Sequence, residues 1–204
     1  MKKLVFAIIC CLFLSQNCYA YYFNSPVKII KARNEIKKLS KEIENNRDDA
    51  NLYFKRGSYY WFLNKIRDAQ CDYRIAYDIK PDFSEAYLRE ALLYYFDKKY
   101  GWAFEVLTEL IKNNPDYALG YYFRASIYNE FHDYNNFIKD ITKYIELRPD
   151  DAIIYSLRGG AYEMIGEYKL AINDYEKYLK YSKDTEFKKS TEESLKKCYE
   201  MIKN

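Results

Sequence analysis

Histidine is all but missing from this chain: His132 is its one copy among 204 residues. Zinc coordination or histidine-based acid and base work would rest on that single imidazole, so no metal site is expected. The six glycines form neither Gly-x-Gly-x-x-Gly nor Gly-Lys-Ser/Thr, which removes a phosphate-cradling loop and any nucleotide cofactor. Charge of one sign is also lacking. The 33 basic residues, less Lys2 and Lys3 of the leader described below, leave 31 against 30 acidic ones, no electrostatic footprint for nucleic acid or an anionic membrane. Acidic side chains are many, but a pair such as Glu85 and Glu90 reads as a solvated helix face rather than two catalytic carboxylates. No catalytic residue and no cofactor is expected.

Long apolar runs are scarce too. The longest, Leu4 to Leu14, has 11 residues, whereas a helix needs roughly 20 to span a bilayer core. It follows Met1-Lys2-Lys3 and precedes Ser15-Gln16-Asn17-Cys18-Tyr19-Ala20, the layout of a secretory signal peptide cut after Ala20. The competing reading, a lipoprotein signal acylated at Cys18, lacks the small residues such signals carry before the cysteine. Residues 1–20 are therefore expected to leave, and the mature chain to be periplasmic or extracellular with no stable membrane span. Of five cysteines only Cys71 and Cys198 then remain. They lie three repeats apart, so two free thiols or one intermolecular bond is expected rather than an internal disulfide.

What is present is a globular composition, 49% apolar and 31% charged, enough to bury a core. It is also periodic. Tyr53, Tyr87, Tyr121 and Tyr155 recur every 34 residues, and Tyr60, Tyr94, Tyr128 and Tyr162 form a second column seven residues on. Small residues Gly57, Ala91, Ala125 and Gly159 fill a third column, where two helices must approach closely, and Ala69, Ala103, Phe137 and Ala171 a fourth. Pro81, Pro115 and Pro149, each followed by aspartate, stop a helix and offer a cap for the next. Within each copy helical spacing breaks near Asn64, Lys98, His132 and Gly166 and then resumes.

These columns resemble the tetratricopeptide repeat, Trp-x-x-Leu-Gly-x-x-Tyr followed by Ala, Phe and Pro on a 34-residue period. Tyrosine stands for the leading tryptophan, and Phe137, Tyr144 and Tyr178 are larger than the usual alanine. The resemblance implies an all-α, right-handed α-solenoid of four helix pairs over residues 50–83, 84–117, 118–151 and 152–183. Residues 21–49 and 184–204 are expected to add an N-terminal and a C-terminal capping helix. Ile29, Ala32, Ile36, Leu39 and Ile43 form one apolar stripe on the first; Phe187, Leu195, Cys198, Tyr199 and Ile202 form one on the last.

The leucine column of the family holds Arg56, Glu90, Arg124 and Arg158 here. Each arginine has an aspartate sixteen residues later, Asp72, Asp140 and Asp174, while Glu90 is matched by Val106. Acid and base are present together or absent together, which points to an ion pair joining the two helices of a unit. The competing explanation is exposed charges that share a column through duplication.

The resemblance further implies that first helices line a concave wall that grips a peptide or protein. The candidate partner-binding residues there are Phe54, Trp61, Phe62, Leu88, Leu92, Tyr95, Phe96, Tyr122 and Asn129. Rings of this size dominate binding hot spots, although the same residues could fill space between adjacent first helices. A lysine and asparagine clamp on a C-terminal carboxylate, known in some relatives, is not expected, because its places hold Phe54, Ser58 and Leu92. The expected role is a protein-interaction scaffold or adaptor with a protein or peptide partner and no nucleic acid. The alternative is a non-catalytic subunit or regulator of a cell-envelope enzyme or assembly complex. Self-association through the aromatic surface, Cys71 or Cys198 is a third expectation.

Overall fold

The computed structural model describes residues 25–182 and 185–203, so the expected leader at 1–20 lies outside the described residues. Among them are ten α-helices and no strand: α1 (Pro26–Asn45), α2 (Ala50–Phe62), α3 (Ile66–Ile79), α4 (Ser84–Phe96), α5 (Tyr100–Asn113), α6 (Ala118–Glu130), α7 (Tyr134–Leu147), α8 (Ala152–Met164), α9 (Tyr168–Tyr181) and α10 (Thr185–Met201). None is long and apolar enough to cross a membrane. The four first helices have 13 residues each and the four second helices 14, in step with the 34-residue period.

The period is enforced at the turn inside each pair. Asn64, Lys98, His132 and Gly166 all adopt positive φ, between 57° and 81°. That conformation reverses the chain after a helix and is free of strain only for the glycine. The next residue's N–H then closes on the carbonyl of the second tyrosine column: Lys65 to Tyr60 (2.8 Å), Lys99 to Tyr94, Asp133 to Tyr128 and Glu167 to Tyr162 (2.9 Å each). Between pairs, the aspartates that follow Pro81, Pro115 and Pro149 are not the caps expected of them. The cap positions fall later, at Phe83, Tyr117 and Asp151, without a side-chain cap bond, whereas Asp49 and Asp133 do accept from Asn51 and Asn136.

The chain divides into two compact units, one ending at Lys99 and one beginning at Tyr100. In the first, α1 packs on α2, α2 on α3 and α3 on α4. Its core joins Ala69, Tyr73 and Leu93, with Phe54, Tyr60, Trp61 and Ile66 against them. The stripe of α1 buries Ala32, Leu39 and Ile43. In the second unit, α5 through α10 pack in chain order, and α8 also meets α10. There Cys198 of α10 is fully buried beside Ala171, Ile172 and Tyr175, so the last helix covers the last pair. Cys71 and Cys198 are both free thiols, the former exposed.

The arginine column is clamped on two sides. Arg56 donates through Nε and Nη2 to both carboxylate oxygens of Asp72 (2.8 and 2.7 Å), and through Nη1 to the Ser40 hydroxyl on α1 (3.1 Å). Arg124 repeats this with Asp140 (2.8 Å, twice) and Thr108 (3.4 Å), and Arg158 with Asp174 (2.7 and 2.9 Å) and Thr142 (3.0 Å). Each guanidinium thus ties its own helix to the second helix of its pair and to the helix before. The tyrosine columns explain themselves here. Residues three before and four after share the arginine's helix face, and Tyr53 with Tyr60, and Tyr155 with Tyr162, hold their rings 5.6 to 5.9 Å from the guanidinium carbon.

The second copy inverts the polarity at this column. Glu90, with no exposed surface, accepts from Arg74 Nη2 (2.7 Å) on the preceding helix α3 and from the Tyr77 hydroxyl (2.6 Å). Arg74 stands sixteen residues before Glu90, as Ser40, Thr108 and Thr142 do before their arginines. Burial and the neighbouring carboxylate together push the Tyr77 phenol well above its ordinary range, so it stays a donor.

Candidate functional site

The candidate residues separate according to burial. Leu88, Leu92 and Tyr122 are 4%, 3% and 3% exposed, so the expectation that they face a partner is corrected: they are core. The reason is visible in α4, where Ala86, Tyr87, Leu88, Glu90, Ala91, Leu92 and Leu93 are all buried. A helix apolar around most of its circumference packs on more than one side, and these side chains fall within that packing. Tyr122 lies edge-on to Phe123 and tilted against Tyr144, and burial pushes its phenol up to about 12. Phe54 is half-buried between the rings of Tyr73 (5.6 Å) and Phe83 (4.9 Å). Tyr95 and Phe96 meet edge to face near the end of α4, with Phe96 at 39% exposure. Asn129 is half-buried in the second unit.

Trp61 and Phe62 behave differently. Together with Tyr59 and Ser58 on α2 they line an open hollow of about 410 Å³, whose other walls are Lys28, Lys31 and Ala32 on α1 and Arg89 on α4. The volume falls in the range of small-ligand and side-chain sites, roughly 300 to 1,000 Å³. Its floor is fixed by hydrogen bonds: the Ser58 hydroxyl donates to the Phe54 carbonyl (2.9 Å) and receives the Tyr73 hydroxyl (3.4 Å). Arg89 is steadied by Glu85 one turn earlier on α4 (3.3 Å). The three cations escaped the sequence reading, because Lys28 and Lys31 look like solvated charges on an amphipathic helix and Arg89 sits outside every repeating column.

A second hollow of about 330 Å³ lies on another side of α1, between Ile30, Asn34, Ile36 and Leu63 with Arg33, Lys37 and Lys65. Among the described residues its lining has no aromatic ring. Among the described residues no group of three or more His, Cys, Asp or Glu side chains converges as a metal site. His132 is exposed at its turn, its Nδ1 3.1 Å from the Tyr134 hydroxyl.

Residues 118–151, one full period, match the tetratricopeptide repeat family. The bovine (Bos taurus) protein SGT1 homolog is 33% identical over 79 residues, 39% of this chain, and the match spans 23% of that protein's length. In fold the chain is similar to the crystal structure of MamA, with a TM-score of 0.62 at 22% identity over 71% of this chain and 85% of that one. It is similar also to YrrB, described as a tetratricopeptide-repeat protein with an unusual peptide-binding site, with a TM-score of 0.64 at 12% identity over 86% and 90%. Such proteins are, as a class, interaction scaffolds built from stacked helix pairs. Residues 118–151 thus match the tetratricopeptide repeat, and the 34-residue columns and the helix pairs formed on them give the chain the fold of tetratricopeptide-repeat proteins.

Proposed function

We propose that the chain is an exported, non-catalytic scaffold that holds a peptide or protein partner in the hollow between α1, α2 and α4. The observation that carries this is the pairing of two large rings, Trp61 and Phe62, with an open volume of about 410 Å³ that the described core leaves beside them. Buried rings of this kind contribute most of the energy in protein interfaces, and a hollow with a hydrogen-bonded floor gives them a fixed shape to offer. On this reading the aromatic wall is narrower than the nine candidate residues and lies in the first unit. Export rests on the basic, apolar and small-residue layout of residues 1–20. Processing is checked by the mass of the chain recovered from its host, which is expected to begin at Tyr21; a retained Met1 removes the export proposal.

Binding is tested by placing a photo-crosslinking amino acid at Phe62 of the full chain in its host, with a second chain carrying it at Lys169, an exposed position in the other unit. A discrete adduct from position 62 and none from 169 is expected. The same adducts from both positions, or none from 62, contradict the proposal.

A further inference from the structure

We propose that the partner segment seated in this hollow is acidic, carrying carboxylates around one aromatic or large aliphatic side chain; the inference rests on the hollow being the partner site. Among the described residues its lining holds three cations, Lys28, Lys31 and Arg89, and no carboxylate, with the rings of Tyr59, Trp61 and Phe62. Of the acids near Arg89 on α4, Glu85 is bonded to Arg89 itself one turn away, and Glu90 is bonded to Arg74 and Tyr77. The cations come from two helices, α1 and α4, and share the lining with the rings that α2 provides. A ligand that joins an apolar side chain to carboxylates complements that lining, and one that carries cations meets like charge there.

The placement of the lysines also runs against the needs of the helix that bears them. Lys28 lies in the first turn of α1, where the exposed N–H groups favour acids, yet that turn has no acid at all. From Pro26 to Asn34 the helix has Lys28, Lys31 and Arg33 and no carboxylate, whereas Glu35, Glu42 and Glu44 follow further along. Lys28 and Lys31 both line the hollow.

The probe is a fluorescein-labelled peptide, Asp-Glu-Asp-Phe-Asp-Glu, titrated into the full chain and read by anisotropy. Its analogues are Asn-Gln-Asn-Phe-Asn-Gln, which keeps the ring and drops the charge, and the acidic peptide with serine for phenylalanine. Saturable binding of the acidic peptide is expected, about tenfold or more weaker for either analogue and weakening as salt is raised. Lys28→Glu with Lys31→Glu should weaken it by about tenfold or more. The same charge change at Lys38→Glu with Lys41→Glu, further along the same helix and outside the hollow, should leave it within about twofold. Circular dichroism of each variant establishes that it is folded.

Equal binding of the amide analogue overturns the acidic occupant but leaves the hollow as a partner site, since the ring still seats there. A synthetic peptide of residues 15–24, which carries no charge, is the last arm. Tighter binding of that peptide than of the acidic probe assigns the hollow to the chain's own leading segment and overturns the proposal. Absence of binding by every peptide overturns it as well, and the crosslinking at Phe62 then decides the hollow independently.

Discussion

The junction of α2 with α3 and the junction of α3 with α4 answer one problem in opposite ways. In the first, the buried acid Asp72 receives two bonds from Arg56 on the facing helix, and the guanidinium is flanked by tyrosines. In the second, the acid has moved onto the first helix as Glu90, the arginine onto the preceding one as Arg74, and the Tyr77 phenol supplies the second bond. The position therefore demands charge pairing across helices, not arginine as such. The two forms differ in reserve. Removing Arg158 from the fourth pair leaves Asp174, 1% exposed, without its guanidinium, whereas removing Arg74, half exposed, leaves Glu90 with Tyr77.

That difference sets the largest effect. Arg158→Ala should lower unfolding free energy by about 3 to 5 kcal/mol in urea titrations, the cost of stranding one partner of a buried pair. Arg74→Ala should cost about 1 to 3 kcal/mol, as for a buried group left partly satisfied. Lys169→Ala, at an exposed position, should stay within about 0.5 kcal/mol. Equal losses at Arg158 and Lys169 would remove the clamp as a stabilising element.

Alkali separates the two junctions next. Phenols buried as neutral donors titrate above their ordinary value near 10, so the stability they confer is intact below that pH and is lost as pH rises through the folded value. Tyr122, pushed up to about 12, sets a window from about 10 to about 12 and a loss of about 2 to 3 kcal/mol across it. Tyr77, Tyr144 and Tyr175 are shifted in the same direction by burial and by the carboxylates they donate to. Tyr122→Phe and Tyr77→Phe should each flatten the alkaline fall, while the Arg–Asp clamps, which lack a phenol donor, hold their bonds.

A smaller effect comes from the paired columns of small and large residues. Gly57 and Gly159 face Tyr73 and Tyr175, and a Cβ on Gly159 would meet the Tyr175 ring at 2.8 Å. The same columns hold alanine with Leu107 or Ile141 in the middle copies. Gly159→Ala should cost about 1 to 3 kcal/mol, and adding Tyr175→Leu should recover part of it. The smallest change goes the other way. The Tyr178 hydroxyl is buried without a hydrogen-bond partner among the described residues, so Tyr178→Phe should raise stability by about 1 kcal/mol.

Much of the fold was legible because its determinants repeat as residue types. The tyrosine columns, the breaks at Asn64, Lys98, His132 and Gly166, and the spacing of Arg158 from Asp174 can all be read by laying the chain against itself. The partners sixteen residues before the arginine column were not, since Ser40, Thr108 and Thr142 are small hydroxyl residues common on any helix surface and Arg74 breaks their column. For the site, Trp61 and Phe62 were legible as large rings on a first helix. Leu88, Leu92 and Tyr122 were misassigned because a helix that buries most of its circumference shows no polar face to mark its free side. The cations around the rings were illegible for a simpler reason: their approach to the hollow comes from α1 and α4, and no spacing within one helix reports it.

Hydrogen exchange of the full chain with and without the peptide Asp-Glu-Asp-Phe-Asp-Glu tests most directly that partner binding is confined to the α1–α2–α4 hollow and separate from the clamps. Slower exchange is expected over residues 26–34, 58–63 and around Arg89, with residues 118–182 unchanged. Protection spread evenly along the chain, or concentrated in the second unit, would contradict it.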